Sequence, residues 1–255
     1  MIKGVGIDIG STTVKLVAID EKNNMVFKYM EQTKPRIKEQ IGEILEKVEK
    51  QNPEIKSAPL VATGYGRKLA EKADKAITEI TCHAKGIFHS FGHGGTLIDI
   101  GGQDSKVIVI GEKGNVLDFT MNDKCSAGTG RFLENTAARM EIPVEKIGEL
   151  ALSSPKEARI SSVCTVFAES EIISLLAYGE KVEAVLKGLH RSLVSRIVGM
   201  INSVAFTPPL MLSGGVVKNI AIRKMLEEET GRQILLPEYP QFIGAYGASI
   251  YASLL

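Results

Sequence analysis

The feature that most constrains this chain is an internal repeat. The segment Asp8-Ile-Gly-Ser-Thr-Thr-Val-Lys15 returns 91 residues later as Asp99-Ile-Gly-Gly-Gln-Asp-Ser-Lys106. In each copy an apolar run ends in Asp-Ile-Gly, a short polar turn follows, a lysine stands seven residues after the aspartate, and a second β-branched run begins. Two apolar runs joined by a polar turn are typical of a β-hairpin. The sequence therefore predicts two hairpins of one design.

The surroundings of the hairpins repeat as well. Each hairpin is followed by a further candidate strand, at Met25–Glu31 and at Val116–Asn122. An amphipathic helical pattern comes next, at Ile37–Lys50 in the first half and from Arg131 onward in the second. A β-β-β-α order that occurs twice predicts an α/β protein with two domains, each built on a mixed sheet.

The domain boundaries follow from the same pattern. We place one boundary near Phe91–Gly95, and a small-residue helix predicted at Gly244–Leu255 is expected to pack back on the first domain. The first domain then comprises residues 1–92 and 242–255, and the second comprises residues 93–241. A long apolar-periodic stretch in the second domain, Val182–Phe206, predicts a helix that ends before Pro208 and Pro209.

The hairpin tips have the composition of phosphate-binding turns. Gly, Ser and Thr present backbone N–H groups and hydroxyls to an anion, and glycine permits close backbone approach. Asp8 and Asp99 would repel phosphate unless a cation screened them, and carboxylates are ligands that hydrated Mg²⁺ accepts. For one copy alone, a tight turn with a capping aspartate is an equal alternative. Two copies favour nucleotide binding by residues in both tips, namely Gly10, Ser11, Thr12, Thr13, Lys15, Gly101, Gly102, Gln103 and Asp104.

A third glycine turn lies in the second domain. Leu212-Ser-Gly-Gly-Val-Val-Lys-Asn219 follows an apolar strand and is predicted to open a helix that ends before Gly231. A helix N-terminus there could receive adenosine or phosphate, with a plain strand-to-helix turn as the alternative. The candidate binding residues are Gly214, Gly215, Lys218 and Asn219. No P-loop motif is present. The glycines of the segment Gly4–Gly10 have neither the spacing nor the following helix of a Rossmann fingerprint.

Charge and composition limit the classes of partner that this protein can bind. The formal net charge is +1, aromatic residues make up 5% and tryptophan is absent, which argues against a nucleic-acid partner. No run of about 20 apolar residues indicates a membrane span, and Asp8 interrupts the place where a signal peptide needs its apolar core. We therefore expect a cytoplasmic protein without a membrane partner.

The three cysteines are an odd number in such a chain, which argues against a disulfide framework. Cys82, beside His83, is interpreted as a buried thiol, and His83 as a structural or switch-related residue. Cys125 and Cys164 each precede a helical segment, where helix N–H groups favour the thiolate. Metal binding, catalysis and burial all remain open for them. Two thiolates complete a four-thiolate iron–sulfur site only if a second chain supplies two more.

Two phosphate hairpins and a glycine turn resemble the superfamily of ATPases that includes actin, Hsp70 and sugar kinases, with its duplicated RNase H-like fold. Three segments sharpen the resemblance: Thr63–Arg67, Met121–Phe132 and Ser161–Glu171. They resemble signatures of the ATP-dependent activators of 2-hydroxyacyl-CoA dehydratases, in the BadF/BadG/BcrA/BcrD ATPase family. ATPase subunits of benzoyl-CoA reductases and reductases of double-cubane cluster proteins are relatives. The similarity runs through nearly the whole chain.

This resemblance implies an α/β fold with two mixed-sheet domains around a cleft for ATP or ADP with Mg²⁺. It also implies a homodimer bridged by one [4Fe-4S] cluster on Cys125 and Cys164 of each subunit. Such proteins pass a low-potential electron from ferredoxin or flavodoxin to an iron–sulfur acceptor enzyme, such as a 2-hydroxyacyl-CoA dehydratase or a double-cubane cluster protein. Asp8, Asp99 and Glu169 are the candidate catalytic residues, although Glu169 could instead cap and solvate its helix.

Two other functions fit parts of the same pattern. One is a small-molecule kinase of the same superfamily, which would need no cluster. The other is a nucleotide-switched module without turnover. The two well-placed cysteines argue against the kinase, as does the lack of an obvious insertion that would bind a phosphate acceptor. Against the nucleotide-switched module, the sequence shows no recognisable polymerisation surface.

Overall fold

The computed structural model describes residues 1–122, 128–160 and 165–255, and for residues 165 and 166 it describes the backbone only. The strands are β1 (Gly4–Ile9), β2 (Thr13–Ile19), β3 (Met25–Gln32), β4 (Leu60–Thr63), β5 (Lys75–Ala76), β6 (Gly95–Ile100), β7 (Ser105–Ile110), β8 (Val116–Asn122), β9 (Leu210–Ser213) and β10 (Ile234–Leu235). The helices are α1 (Ile37–Gln51), α2 (Glu79–Phe91), α3 (Gly130–Arg139), α4 (Ile147–Ser153), α5 (Thr165–Ala177), α6 (Val182–Ile201), α7 (Ile220–Thr230) and α8 (Ile243–Ala252).

These elements form two compact units. The first contains Met1–Gly94, Ile110–Leu117 and Pro237–Leu255, and the second contains Gly95–Val109 and Asp118–Leu236. In the part of the chain that the structure describes, no helix is both long enough and apolar enough to cross a membrane.

The first unit is built on a five-stranded sheet in the order β3-β2-β1-β4-β5. β1 pairs with β2 in antiparallel register and with β4 in parallel register. Because strand residues alternate between the two faces, Val5, Ile7 and Ile9 pack into the same apolar cluster as the buried face of α1. The other face of β1, at Gly4, Gly6 and Asp8, lies against α8.

Glycines bring α8 unusually close to its neighbours. A Cβ atom at Gly6 would overlap backbone atoms of Ala245 and Ser249, and one at Gly247 would overlap the carbonyl of Cys82 on α2. The apolar residues of α8 are buried, including Ala245, Ala248 and Ile250. This tight packing places the beginning of α8 beside the end of β1, where Asp8 lies.

The second unit repeats the design with a sheet in the order β10-β9-β6-β7-β8. β9 runs parallel to both β6 and β10. Ile98, Ile100 and Val107 of this sheet join residues of α3, α6 and α7 in one large apolar cluster. The α/β class with two mixed sheets, predicted from the repeated β-β-β-α order, is confirmed.

One helix is shorter than the sequence indicates. The apolar pattern predicts a helix over Val182–Phe206, but α6 ends at Ile201. Beyond this end the Ser203 hydroxyl donates to the carbonyl of Met200, a local side-chain bond that competes with continued helix. Phe206 lies in an irregular segment after the helix, and its side chain still packs against the core cluster.

Candidate functional site

The Asp8 carboxylate forms the centre of a polar cluster in the first unit. Asp8 is 6% exposed, and its Oδ2 atom lies 3.7 Å from Nζ of Lys15, the residue directly opposite on β2. Two glycines border the carboxylate: a Cβ at Gly64 would lie 2.5 Å from Oδ1, and one at Gly244 would lie 2.9 Å from Oδ2. The absence of side chains at these two positions makes the room that the carboxylate occupies.

The Asp99 carboxylate forms the corresponding cluster in the second unit. Its Oδ2 atom lies 3.6 Å from Nζ of Lys106, and its Oδ1 atom accepts a 2.7 Å hydrogen bond from the Ser213 hydroxyl. The Lys106 ammonium also lies 2.7 Å from Oδ2 of Asp104. Lys106 is only 2% exposed, so these carboxylates compensate a charge that would be costly to bury alone.

The two clusters share structural features beyond those that the sequence repeat indicates. Thr63 at the end of β4 lies opposite Asp8, and Ser213 at the end of β9 lies opposite Asp99. Each hydroxyl residue is followed by a glycine with positive φ, +86° at Gly64 and +94° at Gly214. Thr63 and Gly64 are therefore neighbours of the candidate site, although the sequence marks them only as part of a family signature. Their signal is the hydroxyl-glycine pair that ends a buried strand.

The first predicted phosphate turn joins β1 to β2 through Ser11 and Thr12. The Gly10 N–H donates to the Thr13 carbonyl over 3.1 Å, which closes the turn. The Thr12 hydroxyl oxygen is buried and has no hydrogen-bond partner among the described residues. A buried hydroxyl without a partner is costly, so this turn fits an incoming acceptor such as a phosphate oxygen.

The second predicted phosphate turn joins β6 to β7 and also holds the start of α3. The Gly101 N–H donates to the Asp104 carbonyl over 2.9 Å. The carbonyls of Gly101 and Gly102 in turn accept hydrogen bonds of 2.9 and 2.8 Å from the N–H groups of Gly130 and Arg131. The first N–H groups of α3, which lack partners within the helix, are thus satisfied by the turn. Gln103 at the tip is exposed.

The third glycine turn differs from its prediction in one respect. Gly214 and Gly215 follow β9 as expected, but a 3₁₀ turn over Gly215–Lys218 comes first and α7 begins only at Ile220. The reason is that Asn219 takes the N-cap position: its Oδ1 atom accepts hydrogen bonds from the N–H groups of Ala221 and Ile222. The predicted helix N-terminus therefore lies five residues beyond Gly215, and Lys218 is exposed.

His190 on α6 fixes the Asn219 cap. The ring is fully buried, with Nδ1 2.7 Å from the Leu186 carbonyl oxygen and Nε2 2.8 Å from Nδ2 of Asn219. Since the carbonyl accepts and the amide nitrogen donates, these partners select the neutral ring with its proton on Nδ1. Burial lowers the pKa of His190, and the hydrogen bonds to Leu186 and Asn219 oppose that shift only in part.

We expect this histidine to make the protein less stable in mild acid. Its folded pKa is below the unfolded value of about 6.5, so as the pH falls below 6.5 the unfolded chain binds a proton that the folded chain does not. The free energy of unfolding should therefore fall, by at most about 1.4 kcal/mol per pH unit for this group. Urea unfolding at pH 7.5 and 5.5 measures the loss.

Replacement variants isolate this contribution. His190→Gln should reduce the loss between pH 7.5 and 5.5 by about 1 kcal/mol, since glutamine does not titrate there. His93→Gln, at an exposed position, should leave the loss unchanged. Equal pH dependence in wild type and His190→Gln would contradict the assignment.

Glu169, the third candidate catalytic residue, lies on α5. Its Oε2 atom is 3.9 Å from Nε of Arg139 on α3, and its side chain is 26% exposed. The carboxylate thus faces the Arg139 guanidinium of the same unit. A role in polarising water stays a prediction.

The model of the BadF/BadG/BcrA/BcrD ATPase family matches residues 5–252, nearly the whole chain. The chain belongs to this family. The resemblance read from the hairpins and the cysteine segments is thereby confirmed.

Two members of the BadF/BadG/BcrA/BcrD ATPase family are particularly similar. The (R)-2-hydroxyglutaryl-CoA dehydratase activating ATPase of Acidaminococcus fermentans is 41% identical over 252 residues, which cover 97% of this chain and 96% of that protein. The solved structure of the activator of the 2-hydroxyisocaproyl-CoA dehydratase from Clostridium difficile, with bound ADPNP, has a TM-score of 0.89 at 38% identity. That match covers 99% of this chain and 94% of the other.

A more distant likeness concerns the fold alone. A ROK family glucokinase from Streptomyces griseus, solved with glucose and AMPPNP, has a TM-score of 0.62 at 13% identity, with 99% of both chains covered. The duplicated fold predicted from the superfamily resemblance is confirmed by this likeness.

The cysteines of this family member divide into two groups. Cys125 and Cys164, the predicted cluster ligands, lie outside the described residues. Cys82 on α2 is fully buried, and burial raises the pKa of its thiol to about 12. A thiol with so high a pKa is a poor nucleophile at neutral pH, which agrees with its interpretation as a buried structural residue.

Proposed function

We propose that this protein is an ATP-hydrolysing iron–sulfur protein that delivers a low-potential electron to a partner enzyme. The observation that carries the proposal is a duplicated arrangement beside each phosphate turn. At both Asp8 and Asp99 the aspartate lies near a lysine, and a hydroxyl residue lies opposite it on the neighbouring parallel strand. Its occurrence in a family whose member binds ADPNP supports ATP as the nucleotide.

In this proposal the chain's own residues bind and orient the nucleotide. The turns Gly10–Thr13 and Gly101–Asp104 offer N–H groups and hydroxyls to the phosphates, while Lys15 and Lys106 supply positive charge. Asp8 and Asp99 are carboxylate ligands of the kind that Mg²⁺ takes, and the ion supplies charge neutralisation of the phosphates when bound. Gly214, Gly215, Lys218 and Asn219 are assigned to adenosine, and Glu169 to orienting water. Hydrolysis then requires positioned charge and an oriented water.

We further propose that two copies of this chain share one [4Fe-4S] cluster. Cys125 and Cys164 supply two thiolates per chain, which is half of the usual four-thiolate set. A surface on α5, the helix that follows Cys164, supports pairing of chains: Phe167 and Ile173 are 68% and 53% exposed. α5 buries Ala168 and Ile172 in the core, and large apolar side chains left exposed on such a helix are typical of an interaction surface. The cluster, when bound, supplies one-electron transfer.

The acceptor in this proposal is an iron–sulfur enzyme, a 2-hydroxyacyl-CoA dehydratase or a double-cubane cluster protein, and the donor is ferredoxin or flavodoxin. The names of the two similar family members, each an activator of a 2-hydroxyacyl-CoA dehydratase, favour the first acceptor class.

Iron content with native mass tests the proposal directly. Protein purified without oxygen should be a dimer with about two iron atoms per chain, as one shared [4Fe-4S] cluster requires. Cys125→Ser and Cys164→Ser should each lose the iron, whereas Cys82→Ser, at the buried thiol, should retain it. Wild-type protein that stays free of iron after reconstitution would contradict the electron-transfer function and leave a kinase or a nucleotide switch.

A further inference from the structure

Thr33, the residue after β3, contacts the first phosphate turn with both its hydroxyl and its backbone, and the backbone contact continues the β2–β3 pairing by one residue. In a regular two-residue hairpin, Gly10 and Thr13 would exchange two backbone hydrogen bonds. Here the Gly10 N–H does donate to the Thr13 carbonyl, but the Gly10 carbonyl accepts a 2.8 Å bond from the hydroxyl of Thr33. The Thr33 N–H donates to a second carbonyl of the turn, that of Thr12, over 2.9 Å. Thr33 thus holds two of the turn's carbonyls.

These two bonds determine where the turn's N–H groups point. In a trans peptide the C=O and the N–H of the same unit point in opposite directions. Because the Gly10 carbonyl points to Thr33, the N–H of Ser11 points away from it. The same holds for the Thr12 carbonyl and the N–H of Thr13. Thr33 therefore turns two N–H donors toward the opposite side of the turn, the arrangement that an anion-binding loop needs.

A buried glutamine on α1 holds Thr33 in place. Gln40 is 1% exposed, and its Oε1 atom accepts a 2.8 Å bond from the N–H of Lys34. Its Nε2 atom donates to the carbonyl of Gln32 over 2.7 Å and to Oε1 of Glu31 over 3.0 Å. The amide thus binds the backbone on both sides of Thr33. A fully satisfied buried amide of this kind fixes one geometry, since any other would leave buried polar groups without partners.

We propose that Thr33 is a positioning residue for the first phosphate turn, which it holds so that the N–H groups of Ser11 and Thr13 face the nucleotide phosphates. Gln40 in turn fixes Thr33 through its hydrogen bonds to the backbone of the neighbouring residues. The proposal rests on the nucleotide-binding function proposed above. It concerns the phosphates alone, because Thr33 contacts the turn and the turn's N–H groups are suited to anions.

Binding measurements on single variants test this role. The full chain binds either ADPNP with Mg²⁺ or adenosine, and isothermal titration calorimetry gives the Kd of each. Thr33→Val keeps the shape of the side chain but removes the hydroxyl, and it should raise the Kd of ADPNP about tenfold, which is about 1.4 kcal/mol. The Kd of adenosine should not change. Thr33→Ser, which keeps the hydroxyl, should bind ADPNP within about twofold of wild type.

A matched control separates positioning from general destabilisation. Thr230 on α7 also donates its hydroxyl to a backbone carbonyl, that of Leu226, over 2.6 Å. Thr230→Val should lower the melting temperature slightly and leave the Kd of ADPNP unchanged. If Thr33→Val unfolds, Thr33→Ala provides the same test with less crowding.

Three results would overturn the proposal. They are an unchanged Kd of ADPNP in Thr33→Val, an equal loss of affinity for adenosine and ADPNP, and failure of Thr33→Ser to restore binding. In each of these cases the wild type binds ADPNP and the proposed function stands. Wild-type protein that binds no ADPNP would instead contradict the nucleotide-binding function, and the role of Thr33 would fall with it.

Discussion

Asp99→Asn is expected to lower the rate of Mg²⁺-dependent ATP hydrolysis by about 100-fold or more. Asparagine keeps an oxygen that can accept the hydrogen bond from the Ser213 hydroxyl, so the local fold should persist. The substitution removes the negative charge that lies 3.6 Å from the Lys106 ammonium and that serves as a proposed ligand of Mg²⁺. A steady-state assay of phosphate release across a range of Mg²⁺ concentrations measures the loss and shows whether more metal is needed.

A second aspartate of the same sheet provides the control. Asp118 on β8 accepts hydrogen bonds from the N–H groups of Phe119 and Ala205, over 2.8 and 3.1 Å. Asp118→Asn changes the net charge by the same amount and should leave hydrolysis within about twofold of wild type. If Asp99→Asn hydrolysed ATP as fast as the wild type at the same Mg²⁺ concentration, Asp99 would not be part of the proposed site.

Gly247→Ala should cost the protein about 3 kcal/mol of its free energy of unfolding, with a fall of roughly 6–12 °C in melting temperature. The added Cβ would overlap the carbonyl of Cys82 and would lie 3.0 Å from its Cα. These are backbone atoms of α2, so no side chain can rotate to make room, and the two helices must separate. Thermal and urea unfolding measure the effect.

A half-buried glycine in another helix, with open space beside its Cα, should respond with the opposite sign. Gly42 lies within α1, and a Cβ there meets no atom within 4 Å. Gly42→Ala should therefore stabilise the protein by about 0.5–1 kcal/mol, since alanine loses less conformational freedom in a helix. A loss below about 0.5 kcal/mol in Gly247→Ala would show that α8 and α2 are packed less tightly than described.

The sequence predicts the features that depend on residues near one another in the chain. The hairpins around Asp8 and Asp99 join strands separated by a few residues, so the pairing of each aspartate with its lysine follows from local spacing. The helix predicted at Ile37–Lys50 is α1, Ile37–Gln51. Its 3.6-residue apolar period is equally local.

Features set by distant pairing could not be predicted. Thr63 comes to lie beside Asp8 only because β4 runs parallel to β1, and parallel register is not encoded by spacing along the chain. Thr33 reads as an ordinary polar loop residue, yet it bonds to a turn more than twenty residues earlier. The cluster ligands Cys125 and Cys164 stay predictions, because both lie outside the described residues.

The close packing of α8 on β1 also sets an order of events during synthesis. The first unit needs Pro237–Leu255, yet its opening segment, Met1–Gly94, leaves the ribosome long before. While residues 95–236 are made, which takes roughly ten seconds, the α8 face of β1 has no cover. During this time the first unit lacks α8 and cannot complete its packing. Asp8 therefore acquires its final surroundings only when Gly244 has been added, so the proposed nucleotide contacts of this cluster can form only after the second unit has been made.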